Sequence, residues 1–405
     1  MAAMIELIQS GSVTSAKGFA AGGTYAGLKT MQEDTLDLGV LLSETPASTA
    51  AVFTTSKVIS PSVTLSRERI KKGTARAVVA NSGCANCCVG LQGLTDAEEV
   101  ASLAAEHVGV DPEDVLVCST GMIGVELPMA LIRQNIGNIE LAGDGGDRFA
   151  RSIMTTDTHP KTLAVSLEID GRRVTLGGAA KGVGMIHPDM ATMLAFVATD
   201  APVEQGFLQT ALTGAVGLSF NMIDVDRDQS TNDTALVMAN GAAGGPTIEA
   251  GSEAAGLFQE ALTYVCIALA KELVSDAEGA QRLIETVVDG ARTEAEARTA
   301  ARAIVSSSLV KAMVHGRDPN WGRIMMALGG SGVEIEESKI DIFISDIQIV
   351  HEGLAIPYFK DAVVSAMNVP EVRFRISLNI GDASATAWGC DLTEEYVTFN
   401  SAYST

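Results

Sequence analysis

Aromatic residues, histidine and positive charge are all scarce in this chain. Only 4% of its residues are aromatic and five are histidine, while 28 Lys and Arg stand against 50 Asp and Glu, for a formal net charge of −22. A protein that neutralises phosphates needs clustered basic residues, so this balance argues against a nucleic-acid partner and an anionic membrane surface. The charge serves solubility, and attracts a cationic substrate only weakly because salt screens charges beyond about 8 Å.

Long apolar runs and targeting signals are also missing. No stretch approaches the ~20 apolar residues that a membrane span requires. Residues 1–10 lack the basic patch ahead of an apolar core that a secretory signal has. The sequence therefore predicts a cytoplasmic protein that has no membrane partner.

Motifs for metals and nucleotides are incomplete. Cys84 and Cys87 form a CxxC pair, but no second pair or nearby histidine completes a zinc set, so reduced thiols are expected. Gly182 and Gly184 lack the third glycine of a dinucleotide fingerprint, and no GKT or GKS sequence is present. We therefore expect neither a metal site nor a nucleotide cofactor.

Length and periodicity predict a large α/β protein. The 405 residues suffice for a large core, and 47% hydrophobic content with 40 glycines fits an α/β protein rich in small residues. An apolar strand is predicted at residues 115–118 and a hairpin at 163–176. Thr95 and Glu98 form a capping box that predicts a helix start, and residues 258–273 repeat at helical spacing. Later in the chain, alternating apolar and polar residues predict further strands, so the C-terminal part is expected to be α+β.

One loop has the features of a self-cleavage site. Residues 181–194 combine two glycines with Pro188, so no helix runs through them, and they lead Thr192 into an apolar strand predicted over residues 193–198. If the Thr192 hydroxyl attacks the Ala191 carbonyl, an N-to-O acyl shift and hydrolysis free an α-amino group. The reference pKa of that group, near 7.7–8.0, suits a general base. Taken alone, Ala-Thr is a common pair, and an ordinary loop entering a strand is its simpler interpretation.

Other polar residues could complete such a site. A predicted strand runs into Thr120 and Gly121, which can present a hydroxyl and a backbone N–H to one point, as an oxyanion hole requires. Lys181 could pair with a substrate carboxylate and favour the neutral form of a nearby amine. Residues 224–234 are the most polar passage, but they lack the spacing of a calcium loop, so they are interpreted as a hydrogen-bonded turn network near the site.

Seven segments, in one order, resemble the ornithine acetyltransferase (glutamate N-acetyltransferase) family of arginine biosynthesis, also called the ArgJ family. The resemblance covers essentially the whole chain. The segments are Asn81-Ser82-Gly83, Ser119-Thr120-Gly121 with Ile123-Gly124, Met154-Thr155-Thr156-Asp157-Thr158, residues 181–194, Asp276-Ala277-Glu278-Gly279-Ala280, Gly316-Arg317-Asp318-Pro319-Asn320-Trp321-Gly322-Arg323, and residues 400–405.

This resemblance implies a self-processing enzyme that is cut between Ala191 and Thr192. The implied fold is an N-terminal-nucleophile-like layered α/β sandwich of the ornithine acetyltransferase type, with a smaller α+β C-terminal domain. Two copies of each fragment are expected to assemble as α2β2. The implied divisions are an alpha chain of residues 1–191, a beta chain of residues 192–405, a nucleophile core of about residues 1–280, a C-terminal domain of about residues 281–398 and a tail of residues 399–405 that returns to the active site.

The resemblance also implies roles for single residues. Thr192 would be the nucleophile with its free amine as base, and Thr120 and Gly121 would form the oxyanion hole. The reaction would move an acetyl group from N-acetyl-L-ornithine to L-glutamate through acetyl-Thr192 without a cofactor, with acetyl-CoA left open as a second donor. An aminopeptidase or amidase of a related self-cleaving family and a non-enzymatic binding protein are the alternatives. The implied substrate-binding residues are Thr155, Lys181, Thr192, Glu278, Asn400 and Thr405.

Overall fold

The computed structural model describes residues 5–30, 35–187 and 193–402, which form two β-sheets and eleven α-helices. The strands are β1 (Glu6–Leu7), β2 (Phe19–Thr24), β3 (Leu38–Phe53), β4 (Thr74–Asn81), β5 (Val115–Ser119), β6 (Lys161–Ile169), β7 (Arg172–Lys181), β8 (Leu194–Thr199), β9 (Ile223–Asp224), β10 (Thr234–Ala239), β11 (Leu283–Ala291), β12 (Asp341–Ile344), β13 (Ile347–His351), β14 (Leu354–Ala355), β15 (Glu371–Ser377) and β16 (Ala383–Cys390). The helices are α1 (Pro61–Arg69), α2 (Gln92–Val108), α3 (Met129–Asn135), α4 (Gly146–Ser152), α5 (Gln205–Leu218), α6 (Glu253–Ser275), α7 (Glu294–Val305), α8 (Ser308–Gly316), α9 (Trp321–Gly329), α10 (Lys360–Met367) and α11 (Glu394–Ala402).

The larger sheet has nine strands in the order β1-β6-β7-β8-β10-β3-β4-β5, with β2 paired to β3. Strand β3 is long because it changes partners along its length. Residues 38–43 pair with β2 and residues 48–53 pair with β10, and the register with β4 shifts between Leu42 and Ala47. Helices α5 and α6 pack against each other, and they contact strands β3, β6 and β7.

The smaller sheet has seven strands in the order β14-β13-β12-β15-β11-β16-β9, and helix α7 packs on β11 and β16. Its last strand, β9, comes from the segment between β8 and β10 of the larger sheet and pairs in parallel with β16, Ile223 opposite Trp388. Together the two sheets and their helices confirm the predicted α/β class. No helix in the described ranges is both long and apolar enough to cross a lipid bilayer.

Strand β8, which follows residue 192, is buried on both faces. Ala195 and Val197 belong to the core cluster that includes α5 and α6, whereas Leu194 and Phe196 belong to a second cluster on the opposite face. The Phe196 ring meets the Phe149 ring edge-on, with centroids 5.2 Å apart. Each fully buried side chain of this size stabilises the fold by about 2–3 kcal/mol. The chain is therefore firmly held directly after Thr192.

Helix α2 corrects one local prediction. It begins at Gln92 rather than behind a capping box at Thr95, and its N-cap residue Leu91 makes no side-chain capping bond. The backbone already turns at Leu91, whose carbonyl accepts the N–H of Leu94, so Thr95 lies inside the helix. The predicted strand, hairpin and long helix lie within β5, β6 with β7, and α6 respectively.

Candidate active site

A cleft of about 770 Å³, partly open to solvent, brings together six of the residues that the sequence singled out. Concave sites in which a few polar groups converge are the usual place for small-molecule binding. The predicted residues Ala191, Thr192 and Thr405 lie outside the described part of the chain. The cleft is lined by Ala85, Thr120, Gly121, Ile123, Thr155, Thr156, Lys181, Gly184, Met185, Asp226, Asp228, Ser230, Thr231, Asn232, Glu278, Tyr396 and Asn400.

Thr120 and Gly121 follow strand β5 in a sharply constrained turn. The Thr120 N–H donates to the Asn81 carbonyl at 3.0 Å, and the Thr120 hydroxyl accepts from Lys181 Nζ at 2.9 Å. That hydroxyl therefore keeps its own proton for donation into the cleft. Gly121 has φ +123°, and a Cβ there would lie 2.3 Å from the Gly83 carbonyl carbon. Only glycine fits this position.

Lys181 ends strand β7 and is buried among carboxylates. Its side chain is close to Asp157 and Asp233, both of which are buried. Burial lowers the pKa of Lys181 below its ordinary value, and the two carboxyl groups oppose that shift. Burial alone would raise the pKa of Asp157, but Lys181 and Lys161 together hold it below the ordinary value. A cationic Lys181 at the cleft wall can receive a substrate carboxylate.

Glu278 follows helix α6 and joins three parts of the cleft wall. Its N–H donates to the Val183 carbonyl at 2.9 Å. Its Oε1 accepts from the Thr156 hydroxyl at 2.7 Å, and its Oε2 accepts from Asn400 Nδ2 at 2.9 Å. A Cβ on Gly184 would lie 2.6 Å from Oε2, so a side chain at residue 184 would make the Glu278 carboxylate move. The carboxylate thus connects helix α11 to the Thr156 segment, and the backbone N–H of the same residue holds the loop that precedes residue 188.

Thr155 lies at the cleft wall beside Glu278's partner Thr156. Its N–H donates to Asp157 Oδ2 at 3.0 Å, and Asp157 Oδ1 accepts from the Gly182 N–H at 3.1 Å. The same carboxylate therefore positions Thr155 and the residue that follows Lys181. Sequence reasoning missed Asp157 as a site residue because its role depends on these contacts.

Carboxylates anchor the chain on both sides of residues 188–192. Upstream, Asp226 accepts the N–H groups of Met185 at 2.6 Å and Ile186 at 2.9 Å, and His187 Nδ1 lies 2.9 Å from Asp224 Oδ1. Downstream, the Met193 N–H donates to Asp233 Oδ1 at 2.9 Å.

The polar passage at residues 224–234 therefore forms the hydrogen-bonded network that the sequence predicted beside the site. The hydroxyl of Tyr396, which the sequence did not single out, donates a hydrogen bond to Asp226 Oδ2 at 3.2 Å.

The alternative of a calcium loop is not supported, because the Asp226 carboxylate oxygens already accept hydrogen bonds from protein donors. In the described ranges, no three His, Cys, Asp or Glu side chains are grouped as a metal site would require. Cys84 and Cys87 are buried free thiols there.

Glu278→Gln is expected to weaken the binding of a cationic substrate without preventing chain cleavage. The amide keeps the shape but loses the charge, and hydrogen bonds to a charged group contribute about 1.5–3 kcal/mol. We expect KM for N-acetylornithine, the substrate that the sequence resemblance implies, to rise about 10- to 100-fold in steady-state kinetics. Glu253→Gln, at the exposed start of α6, is the matched control and should leave KM unchanged.

Comparisons with known proteins agree along the full length of the chain. A family model described as the ArgJ family matches residues 20–405. The arginine biosynthesis bifunctional protein ArgJ of Dehalococcoides mccartyi is 45% identical over 405 residues, covering 100% of both chains. Its namesake in Symbiobacterium thermophilum is 48% identical, covering 98% of this chain and 99% of the relative.

A solved structure is also similar. The crystal structure of arginine biosynthesis bifunctional protein ArgJ from Bacillus halodurans is 40% identical with a TM-score of 0.51. The match covers 98% of that solved chain but 51% of this one.

Proposed function

This chain belongs to the ArgJ family, and we propose that it is a self-processing acetyltransferase that moves an acetyl group from N-acetyl-L-ornithine to L-glutamate in arginine biosynthesis. The observation that carries the proposal is that Lys181, the Thr120 turn and Glu278 line one cleft, while carboxylates hold the chain on both sides of residues 188–192. A hydroxyl delivered there meets a cation, an oxyanion-hole candidate and a carboxylate. Transfer of an acetyl group between two amino acids requires these groups.

Cleavage between Ala191 and Thr192 is the first step of the proposed function. It divides the chain into residues 1–191 and 192–405, and pairs of the two fragments assemble as α2β2. The coverage of the Bacillus halodurans chain supports this division, since almost all of that chain corresponds to about half of this one. The rigid burial of β8 also supports it, because the new terminus would stay in place after the cut.

Acetyl transfer then uses the freed Thr192. Its α-amine takes the hydroxyl proton, and the hydroxyl oxygen attacks the acetyl carbonyl of N-acetylornithine. The Thr120 hydroxyl and the Gly121 N–H stabilise the resulting oxyanion. Ornithine leaves as the amine, an acetyl-Thr192 ester remains, and the amino group of glutamate takes the acetyl group. No cofactor is needed for either half-reaction.

The remaining cleft residues hold the two amino acids. Lys181 pairs with a substrate carboxylate, and Glu278 receives an ammonium group, with Asn400 holding Glu278 in place. Thr155 and Thr405 complete the substrate-binding set. Because donor and acceptor share one covalent intermediate, the kinetics should be ping-pong.

Supplying the two acetyl donors separately tests the proposed reaction. With N-acetylornithine and glutamate, N-acetylglutamate should form, and double-reciprocal plots of its rate of formation should be parallel. A second assay with acetyl-CoA and glutamate shows whether this chain is bifunctional, as the names of its relatives state for those proteins. Acetate release from N-acetylornithine that is independent of glutamate would instead indicate an amidase. Absence of both products would remove the enzymatic proposal.

The C-terminal tail should be required for catalysis but not for cleavage. Helix α11 brings Asn400 against Glu278, so the residues that follow it begin at the cleft. Deleting residues 401–405 is expected to lower kcat/KM at least 100-fold. At 1.36 kcal/mol per tenfold, this is a loss of about 2.7 kcal/mol in transition-state stabilisation. The deletion should still give two fragments on a denaturing gel. A truncated enzyme with unchanged kcat/KM would show that the tail takes no part.

A further inference from the structure

The adjacent cysteines Cys87 and Cys88 have no part in the proposed reaction, although Ala85, two residues before them, lines the cleft. Cys87 is buried, Cys88 is exposed, and both are free thiols whose Sγ atoms lie 3.8 Å apart. Neighbouring side chains of an extended strand point to opposite faces. Here Asn86 and Cys88 have φ values of +50° and +60°, so the chain turns at Cys87 and the two sulfurs lie together.

The turn that holds the two thiols is fixed by buried hydrogen bonds. Ser60 Oγ donates to the Asn86 carbonyl at 2.9 Å, and Asn86 Nδ2 donates to the Gly93 carbonyl at 2.8 Å. Both Ser60 and Asn86 are fully buried. The two sulfurs are therefore held close together before a ligand arrives, and a preorganised pair loses little conformational entropy when it binds one.

The distance between the sulfurs indicates which chemistry suits them. A disulfide needs an S–S bond of about 2.05 Å and Cα atoms at least about 4.4 Å apart, whereas a trans peptide keeps neighbouring Cα atoms about 3.8 Å apart. One atom bonded to both sulfurs at about 2.3 Å, the length of a zinc–thiolate bond, holds them about 3.5–3.8 Å apart at bond angles of about 100–110°. The observed separation of 3.8 Å therefore fits a bridging atom.

That atom has to be satisfied by two protein ligands. Structural zinc takes four, and in the described ranges no three His, Cys, Asp or Glu side chains are grouped to hold a metal ion. Trivalent arsenic forms three bonds and can keep one for its own organic group, so two neighbouring thiols complete its shell. Burial raises the pKa of the Cys87 thiol, which therefore keeps its proton near neutral pH, and an arsenic-bound oxygen can take up that proton as water.

Two backbone hydrogen bonds tie the cysteine segment to the turn that follows β5. The Gly124 N–H donates to the Cys87 carbonyl at 2.9 Å, and the Ala85 N–H donates to the Met122 carbonyl at 2.9 Å. The Cys87 thiol also lies beside the side chain of Thr231, which lines the cleft. Because the proposed oxyanion hole lies in the turn after β5, a ligand that displaces the cysteine segment also displaces the hole.

We propose that Cys87 and Cys88 form a dithiol site for trivalent arsenicals, and that its occupancy slows acetyl transfer through the turn after β5. When an arsenical R–As=O binds, two S–H bonds and the bond between arsenic and oxygen break. Two arsenic–sulfur bonds form, and the oxygen leaves as water with both thiol protons. Arsenic stays trivalent, so no oxidant or reductant is needed. Only the effect on acetyl transfer rests on the proposed function.

Titration with phenylarsine oxide, followed by intact mass, tests the site. The fully reduced protein should gain one arsenical less one water on the polypeptide that contains Cys87. Cys88→Ser leaves a single thiol, so its affinity should fall at least about 100-fold, since a second linked contact strengthens binding by about 10²- to 10⁴-fold. A 1,2-dithiol such as dimercaptopropanol should remove the wild-type adduct, whereas a monothiol in the same excess should not.

Cys84→Ala is the matched control, because it removes a neighbouring buried thiol and leaves the pair intact. It should bind phenylarsine oxide as tightly as wild type. Cys88 is exposed, so the decisive variant does not disturb the core. Equal affinity of wild type and Cys88→Ser, or a wild type that gains no arsenical, would overturn the site.

The rate of N-acetylglutamate formation tests the connection to the cleft. One equivalent of phenylarsine oxide should lower the wild-type kcat at least about tenfold, a part of the about 10²- to 10³-fold loss that follows removal of an oxyanion-hole donor. The kcat of Cys88→Ser should not respond to the same dose. An adduct that leaves the wild-type rate unchanged would overturn the connection. Protein that gains the arsenical but forms no N-acetylglutamate even without it would count against the proposed function, not against the site.

Discussion

Replacing Thr192 with Ala is expected to leave one uncut polypeptide of 42.1 kDa and to abolish acetyl transfer. In the proposed function the same hydroxyl is the nucleophile in both steps, so no second group can substitute for it. Removing a nucleophile from a comparable covalent mechanism costs on the order of 10⁶-fold in kcat. A denaturing gel and an N-acetylglutamate assay measure the two effects on the same sample.

The wild type must be run beside this variant, because a non-enzymatic binding protein would also remain uncut. Wild-type protein should give two fragments near half the full mass. Thr192→Ser keeps a hydroxyl and should therefore still be cut, with lower activity. A fully active Thr192→Ala enzyme would contradict the assignment of the nucleophile.

Replacing Thr120 with Val is expected to lower kcat about 10²- to 10³-fold while KM changes little. Valine keeps the shape of the side chain but removes the hydroxyl that accepts from Lys181 Nζ and is free to donate into the cleft. Losses of this size follow removal of one oxyanion-hole donor, since the interaction strengthens only as charge develops. Steady-state kinetics on the cleaved fraction provide the measurement.

Thr120→Ser is the control for this substitution, because it restores the donor in a smaller side chain. Its kcat should lie close to the wild-type value. A kcat for Thr120→Val within about threefold of wild type would place the oxyanion outside the β5 turn. Unchanged kcat with a raised KM would instead indicate a substrate-binding role.

Local sequence patterns predicted the strands and helices well where burial alone decides them. The strand at residues 115–118 lies within β5, and the run after residue 192 became β8 with an offset of one residue. The capping box at Thr95 was wrong because the backbone already turns at Leu91, a residue with no capping side chain. Periodicity therefore located the elements better than it located their ends.

The site was only partly predictable. A family resemblance singled out Thr120, Lys181 and Glu278, and the structure brings their side chains to one cleft. Asp157 and Asp233 were not singled out, since their roles depend on contacts that only the fold creates. The Met193 N–H that Asp233 accepts lies 40 residues away in sequence. Spacing cannot show such a contact, although the polar run at residues 224–234 marked the region.

Reading the amino termini of the active protein tests the central claim most directly. Intact mass and N-terminal sequencing should find one chain that ends at Ala191 and a second that begins Thr-Met-Leu-Ala-Phe. Both should be present in equal amounts in the fraction that forms N-acetylglutamate. A fully active fraction that contains only the unbroken 405-residue polypeptide would contradict catalysis by an N-terminal threonine.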